Sequence, residues 1–432
     1  MTNHLRGDGA ARTVPIVRLS SSAWLWFFSV IGIPVALAQI DPERRELIQF
    51  GYNQPLRGRG PIAGYAYYYH NQPGFLRTNL TLRAAIAPTY LDTELGVRGL
   101  LSEHTDMGFG FAGGGFADSY SEVRGGKLWR EESFTGHGAE ANVSLYHLFN
   151  PMPAGQTNHT GIGDVPLQLV VRNAARYSFY QRDDATAAGF VLPEDKLAYH
   201  VRIGLRWGGR EPLLVADRAV ELSAWYEGQF RTDSQDYGYS GDRTIEARTH
   251  LLWGRGLVAW EFPGQQRIEF TLTGGGSADA DRLGAYRLGG ALPLGAEFPL
   301  MVPGYYFQEL SARRFALLNT SYSVPLSRSH RWDLALNGGV ANIEFLPGLE
   351  LPRHWHSGAG GGIGYTSSNG AWHWVLGYAY GFDAVRGDHR GAHNVGLVME
   401  YDLEAGGIGP LRRAGRLLNP NTWRGFDRLF GR

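Results

Sequence analysis

Along much of this chain, apolar and polar residues alternate one by one over segments of about ten residues. Between 197 and 207, Leu197, Tyr199, Val201, Ile203, Leu205 and Trp207 share one face, and Ala198, His200, Arg202, Gly204 and Arg206 the other. In 221–230, Leu222, Ala224, Tyr226 and Phe230 oppose Glu221, Ser223, Glu227 and Gln229. Leu76, Thr78, Leu80 and Leu82 oppose Arg77, Asn79, Thr81 and Arg83, and Val395, Leu397, Met399, Tyr401 and Leu403 oppose Gly396, Val398, Glu400 and Asp402. A period of two places successive side chains on opposite faces of a strand. Strands of this length with one apolar and one charged face suit a membrane barrel, with lipid on one side and a wet lumen on the other. Backbone groups in lipid must all be paired, so such a sheet must close. A soluble β-sandwich also alternates, but its polar face is outermost and its strands are usually shorter.

The expected fold class is therefore all-β, a transmembrane antiparallel barrel of about sixteen strands. The alternation predicts strands at 47–54, 60–71, 76–88, 90–101, 106–117, 137–149, 165–181, 196–208, 215–231, 243–259, 266–275, 312–325, 331–345, 357–367, 371–383 and 393–403. With both termini periplasmic, the long polar stretches 118–136, 182–195, 232–242 and 276–311 become outer loops. The links near 89 (very short, outer) and 150–164 (long, inner) fit that scheme poorly. Sixty glycines and 13% aromatics accord with tight turns and interfacial ring anchors. Trp207, Trp225, Trp253, Trp260, Trp372 and Trp374 are expected as girdle or lipid-facing rings.

Ahead of the barrel, Arg18, the apolar run Trp24 to Ala38 and the Ala36-Leu37-Ala38 cleavage pattern predict an export signal over 1–38. The barrel then occupies 39–404, with no separate N-terminal domain. The arginine-rich tail 405–432 is expected in the periplasm, either as an amphipathic segment on the inner leaflet or as a solvated extension. No other stretch approaches the roughly 20 apolar residues of a spanning helix. The chain has no cysteine, which excludes disulfides and thiolate chemistry. Its 41 basic and 41 acidic residues imply no nucleic-acid partner.

The longest loop, 276–311, is followed by five strands. It reads Arg287-Leu288-Gly289-Gly290, then Val302-Pro303-Gly304-Tyr305-Tyr306, then Gln308-Glu309-Leu310. Beyond it come Leu336-Asn337-Gly338-Gly339-Val340, Ser357 to Tyr365 with four glycines before Ile363, and Leu376-Gly377-Tyr378-Ala379-Tyr380. This layout over about 290–403 resembles the BamA/TamA superfamily, the bacterial surface antigen family. The resemblance implies a sixteen-stranded barrel whose sixth outer loop folds back into the lumen. It makes Val302, Pro303, Gly304 and Tyr305 the loop motif, with Asn337 and Gly339 as its barrel-wall partners. In that family a loop arginine meets a wall acid in a charge-assisted pair. Here Pro303 and Asn337 stand at those two positions, and the family's periplasmic POTRA repeats have no counterpart.

The resemblance implies a role in outer-membrane protein or lipid biogenesis. The surroundings would be outer-membrane lipid and lipopolysaccharide, a separate periplasmic protein the partner, and the weakly joined first and last strands an edge for a client. The alternative is a passive porin or solute channel. Arg77, Arg83, Arg172, Arg176, Arg202 and Arg206 would line an anion pore if unpaired. The balanced charge favours instead a lumen neutralised by Glu221, Glu227, Glu400 and Asp402. His354 and His356 share a strand face, but no third ligand lies nearby, so no metal or other cofactor is expected. No Gly-x-Ser-x-Gly elbow is present, and no enzyme is expected.

Overall fold

The computed structural model describes residue 40 and residues 44–61, 63–150, 165–209, 218–290, 298 and 300–406. The expected signal peptide and nearly all of the expected tail lie outside the described residues. Among the described residues twenty strands occur: β1 (Arg45–Pro55), β2 (Ala63–Pro73), β3 (Leu80–Ile86), β4 (Tyr90–Ser102), β5 (Thr105–Gly114), β6 (Tyr120–Arg124), β7 (Lys127–Leu148), β8 (Leu167–Gln181), β9 (Lys196–Gly209) and β10 (Arg218–Phe230). They continue with β11 (Gln235–Tyr237), β12 (Arg243–Ile245), β13 (Arg248–Phe262), β14 (Gln266–Ala278), β15 (Tyr286–Leu288), β16 (Leu310–Pro325), β17 (Trp332–Phe345), β18 (Trp355–Thr366), β19 (Trp372–Arg386) and β20 (His389–Asp402). Four of these, β6, β11, β12 and β15, belong to outer loops. The other sixteen pair antiparallel, each with its neighbour, and β20 returns to β1, so the sheet is a closed barrel.

Burial confirms the alternation. Leu222 is 62% exposed while its neighbour Glu221 is 2% exposed. Phe50, Phe109, Leu197, Leu205, Leu252, Leu272 and Leu376 all face outward. Apolar side chains on the outside and carboxylates on the inside are the arrangement that lipid on the outside favours.

The seam between first and last strands is not weak. Its ladder runs for nine register pairs, from Leu47 opposite Asp402 to Pro55 opposite Asn394. The β1–β2 ladder also has nine, and β2–β3 only six. Short β3, not the seam, is the narrow part of the wall. On the lumen side, Gln49 Nε2 donates to Glu400 Oε2 across the seam at 2.8 Å. The hydroxyls of Tyr65 and Tyr67 donate to Gln49 Oε1 at 3.1 and 2.8 Å. The weak-seam expectation came with the resemblance, and these residues correct it.

Three further expectations shift. Leu76 lies in the turn before β3 with φ 59°, so that strand begins at Leu80. The strand expected from 137 starts at Lys127, because its outer half pairs with β6 in a hairpin above the wall. Trp225 and Trp253 are buried and stack on each other at 5.5 Å inside the lumen, where β10 and β13 also point Glu227 and Leu257.

Candidate functional site

The connection between β14 and β16 is the sixth outer link, and its tip folds into the lumen. Its two limbs are tied where Val302 N donates to Gly289 O at 3.0 Å and Gly290 N to Tyr306 O at 2.7 Å. Val302 and Tyr305 have no exposed surface. Pro303 lies across β17 and β18 where the wall carries glycine. A Cβ at Gly339 would come within 2.8 Å of Pro303 Cδ, and one at Gly358 would overlap the Pro303 carbonyl. Gly304 has φ 82°, a conformation glycine adopts without penalty, and a Cβ there would overlap the backbone of Gly381 on β19. Glycine on both surfaces lets backbone meet backbone. From the adjacent strand, Asn319 Nδ2 donates to Met301 O at 2.9 Å.

Two tyrosines extend the tip toward the seam. Asn394 on β20 donates its Nδ2 to Tyr305 O at 2.8 Å. His356 Nε2 lies 3.0 Å from Arg353 O, which only accepts, so this nitrogen carries the proton. Its Nδ1 then accepts from the Tyr305 hydroxyl at 3.0 Å. Tyr306 donates its hydroxyl to Arg57 O, just beyond β1, at 3.2 Å. The tip thus touches β20 and the chain just beyond β1, on the two sides of the seam at its outer end. Burial pushes the Tyr305 and Tyr306 hydroxyls above the ordinary phenol range.

Glu309 completes the lock. Its carboxylate accepts two hydrogen bonds from Arg386, of 2.6 and 2.9 Å, and one from Tyr306 N at 2.7 Å. Both charged side chains are 1% exposed, and the guanidinium lies 3.5 Å from the centre of the Tyr306 ring. A buried bidentate pair of this kind depends on its remaining hydrogen bonds; Arg386 Nη1 also donates to Val385 O at 2.7 Å, while Nε finds no partner among the described residues. The resemblance led to a loop arginine and wall acid at Pro303 and Asn337. Here the loop supplies the acid and the wall the arginine, at other positions. Gly339 meets the tip. Asn337 pairs with Ser321 and Gly360 in the wall, and its Oδ1 finds no partner among the described residues.

The lumen is charged and neutralised. Arg202 meets Glu227 at 3.4 Å, and Arg206 meets Glu221 at 3.0 Å. Arg172 meets Glu140 at 3.1 Å, Arg176 pairs with Asp118, and Arg83 lies 3.7 Å from Glu94. Glu400 accepts from Gln49 across the seam. Arg77 sits in the turn before β3. A cavity of about 680 Å³ remains between the sixth loop and the β8–β10 wall, lined by Arg172, Arg202, Glu227, Trp253, Phe298 and Met301.

Above the lumen, outer loops join into a cap. Tyr120, Phe134, Phe190, Tyr237 and Ile245 form its apolar centre. Glu122 and Glu132 beside them hold Arg124, Arg243 and, through Glu122, Arg282 of the sixth loop. Burial pushes the Tyr120 hydroxyl up to about 12, against the pull of Arg287, whose guanidinium lies 4.4 Å from the ring centre. His354 contacts Ile343 O at 2.9 Å, and no metal-binding cluster occurs among the described residues. Nothing in the alternation marks this cap or Arg386, and Glu309 stands in the sixth-loop sequence with no motif to assign it a role.

No family profile and no curated protein sequence matches the chain. Among solved structures it is similar to CdiB from Acinetobacter baumannii, with TM-score 0.53 and 9% identity over 83% of this chain. It is also similar to CdiB from Escherichia coli, with TM-score 0.54 and 13% identity over 84% of it. The match covers 60% and 64% of those chains, less than two thirds of either. BamA from Haemophilus ducreyi lacking POTRA domains 1–3 aligns with TM-score 0.48 and 11% identity, over 88% of this chain and 77% of that one. The barrel fold is the one these CdiB structures have.

Proposed function

We propose that this barrel serves in the bacterial outer membrane as an assembly or translocation barrel for proteins or lipids, working with a separate periplasmic partner. The observation that carries this reading is the sixth-loop tip. It is pinned to β17, β18 and β19 through glycines and locked by Glu309 and Arg386, and it bridges the outer end of the β1–β20 seam. A loop anchored so thoroughly restricts a passive pore, yet it suits a wall whose opening must be controlled. The seam would open from a closed ladder, with release of the tip freeing Asn394 and Arg57 on its two sides.

The cavity beside β8–β10 favours a second reading, a solute channel. Planar-bilayer recording separates the two. The assembly reading expects a small, flickering conductance that becomes large and steady when Glu309→Gln releases the tip. A large steady conductance in the parent would sink it. A complementary test joins the seam covalently with Phe50→Cys and Met399→Cys, an outward-facing register pair. Oxidation should abolish the outer-membrane assembly phenotype and leave solute flux unchanged.

A further inference from the structure

Two glycine turns roof the Glu309–Arg386 lock. Gly58, in the β1–β2 loop, has φ 77°, and Gly126, at the β6–β7 tip, has φ 71°. A Cβ at Gly58 would lie 3.2 Å from Arg386 Cδ, and one at Gly126 would lie 3.3 Å from Arg386 Nη1. One buried side chain therefore brings together two loops that are far apart in sequence, and with them Arg57, Arg59 and Lys127.

All three of these cations are exposed, and none has a carboxylate partner among the described residues. The neighbouring arginines differ. Arg386 is matched by Glu309, and Arg353 and Arg390 by Asp383. On the adjoining β19–β20 turn stands one acid, Asp388, 3.4 Å from His389. Lys127 Nζ also lies 4.2 Å from the centre of the Trp129 ring, which places an aromatic face beside the charge. Like charges held together without counter-charge raise the local potential and attract anions. Guanidinium groups bind phosphate through paired hydrogen bonds, and lysine adds a point charge.

The patch sits where β1 and β19 leave the wall at its outer end, and both strands carry exposed aromatic rings, Tyr52 and Phe382. An anion bound at that height lies at the boundary between apolar wall and solvent. We infer that Arg57, Arg59 and Lys127 form a binding site for the phosphate groups of a phosphorylated glycolipid anchored in the outer leaflet. This inference rests on the outer-membrane reading above. Bound there, the lipid would lie over the tip lock and beside the seam.

Native mass spectrometry of the full-length folded barrel in detergent tests it, with diphosphoryl lipid A as the probe. Dephosphorylated lipid A and inorganic phosphate serve as separate arms. The parent should retain diphosphoryl lipid A. The triple variant Arg57→Gln/Arg59→Gln/Lys127→Gln should retain at least tenfold less, and Asp388→Asn several-fold more. The inner-turn variant Arg328→Gln/Arg331→Gln should bind like the parent. Heat-modifiable mobility shows that each variant is folded. Equal retention by parent and triple variant overturns the site, as does equal retention of dephosphorylated lipid. Inorganic phosphate binding as tightly as the lipid assigns the patch to free anions and overturns the lipid assignment. A barrel that selects the phosphorylated lipid yet conducts steadily overturns the assembly reading alone.

Discussion

Glu309 and Arg386 lie 77 residues apart in sequence and share two hydrogen bonds, of 2.6 and 2.9 Å, with almost no exposed surface on either side chain. Removing one partner strands the other charge in the interior, which typically costs about 3–5 kcal/mol. Glu309→Gln or Arg386→Gln should therefore undock the sixth-loop tip. Because the chain has no cysteine, a single Val302→Cys reports the docked state cleanly. It should be protected in the parent and react at least tenfold faster with a water-soluble maleimide in either variant. The reversed pair, Glu309→Arg with Arg386→Glu, should recover part of the protection. Single variants that label as slowly as the parent would show that the pair does not hold the loop.

The wall glycines make a separate claim. A side chain at Gly358 would overlap the Pro303 carbonyl, and neither backbone can yield cheaply. Gly358→Ala should raise Val302→Cys labelling nearly as much as loss of the ion pair does. Gly256→Ala on β13, where a Cβ meets nothing within 4 Å, should leave it unchanged. Matching rates in these two variants would remove close backbone approach as the cause.

At the seam, Gln49→Leu takes from the buried Glu400 its cross-seam donor. Leaving such a group unsatisfied costs about 1–3 kcal/mol. The urea midpoint of the refolded barrel should fall, and Gln49→Leu/Glu400→Leu should recover the part due to Glu400, while the Tyr65 and Tyr67 hydroxyls lack their acceptor in both variants. A double variant weaker than the sum of the singles would contradict this account.

In the cap, Arg243 faces both Glu122 and Glu132, so Arg243→Met leaves two buried carboxylates short of a cation. Protease cleavage within 235–245 should accelerate at least tenfold. The cap should also be sensitive to alkali. The Tyr120 hydroxyl titrates at about 12 when folded against an ordinary value of 10.0, so the neutral form is the one favoured by folding. That contribution is complete below pH 10 and is lost as pH rises through 12. In an ultraviolet titration several buried tyrosines should ionise late, Tyr305 and Tyr306 among them, and Tyr120→Phe should remove one equivalent from that late group.

Much of the wall was legible because strand parity is a local property. Leu222 out and Glu221 in follow from the order of residues alone. Trp225 and Trp253 show where residue type misleads. Each shares parity with an inward residue, Glu227 or Leu257, yet the usual preference of tryptophan for the membrane interface favoured the opposite face. The lock was hidden for another reason. The β19–β20 register shifts between Gly381 and Val385, so counting along β19 does not say where Arg386 points. The cap was hidden because the contacts of β6, β11 and β12 join loops that alternation says nothing about.

The sixth-loop tip also sets an order of events in time. Residues 305–309 find their partners at Arg57, His356, Arg386 and Asn394, near both ends of the barrel sequence. No portion of the chain made early can offer all of them. Complete docking, with Tyr306 on Arg57 and Tyr305 on Asn394, waits until β20 has met β1, and contacts that close such long stretches of chain form slowly. A fully docked tip is thus a record that the cylinder has been completed. A barrel stalled one strand short would lack the seam contacts of Tyr305 and Tyr306 and hold its sixth loop less firmly.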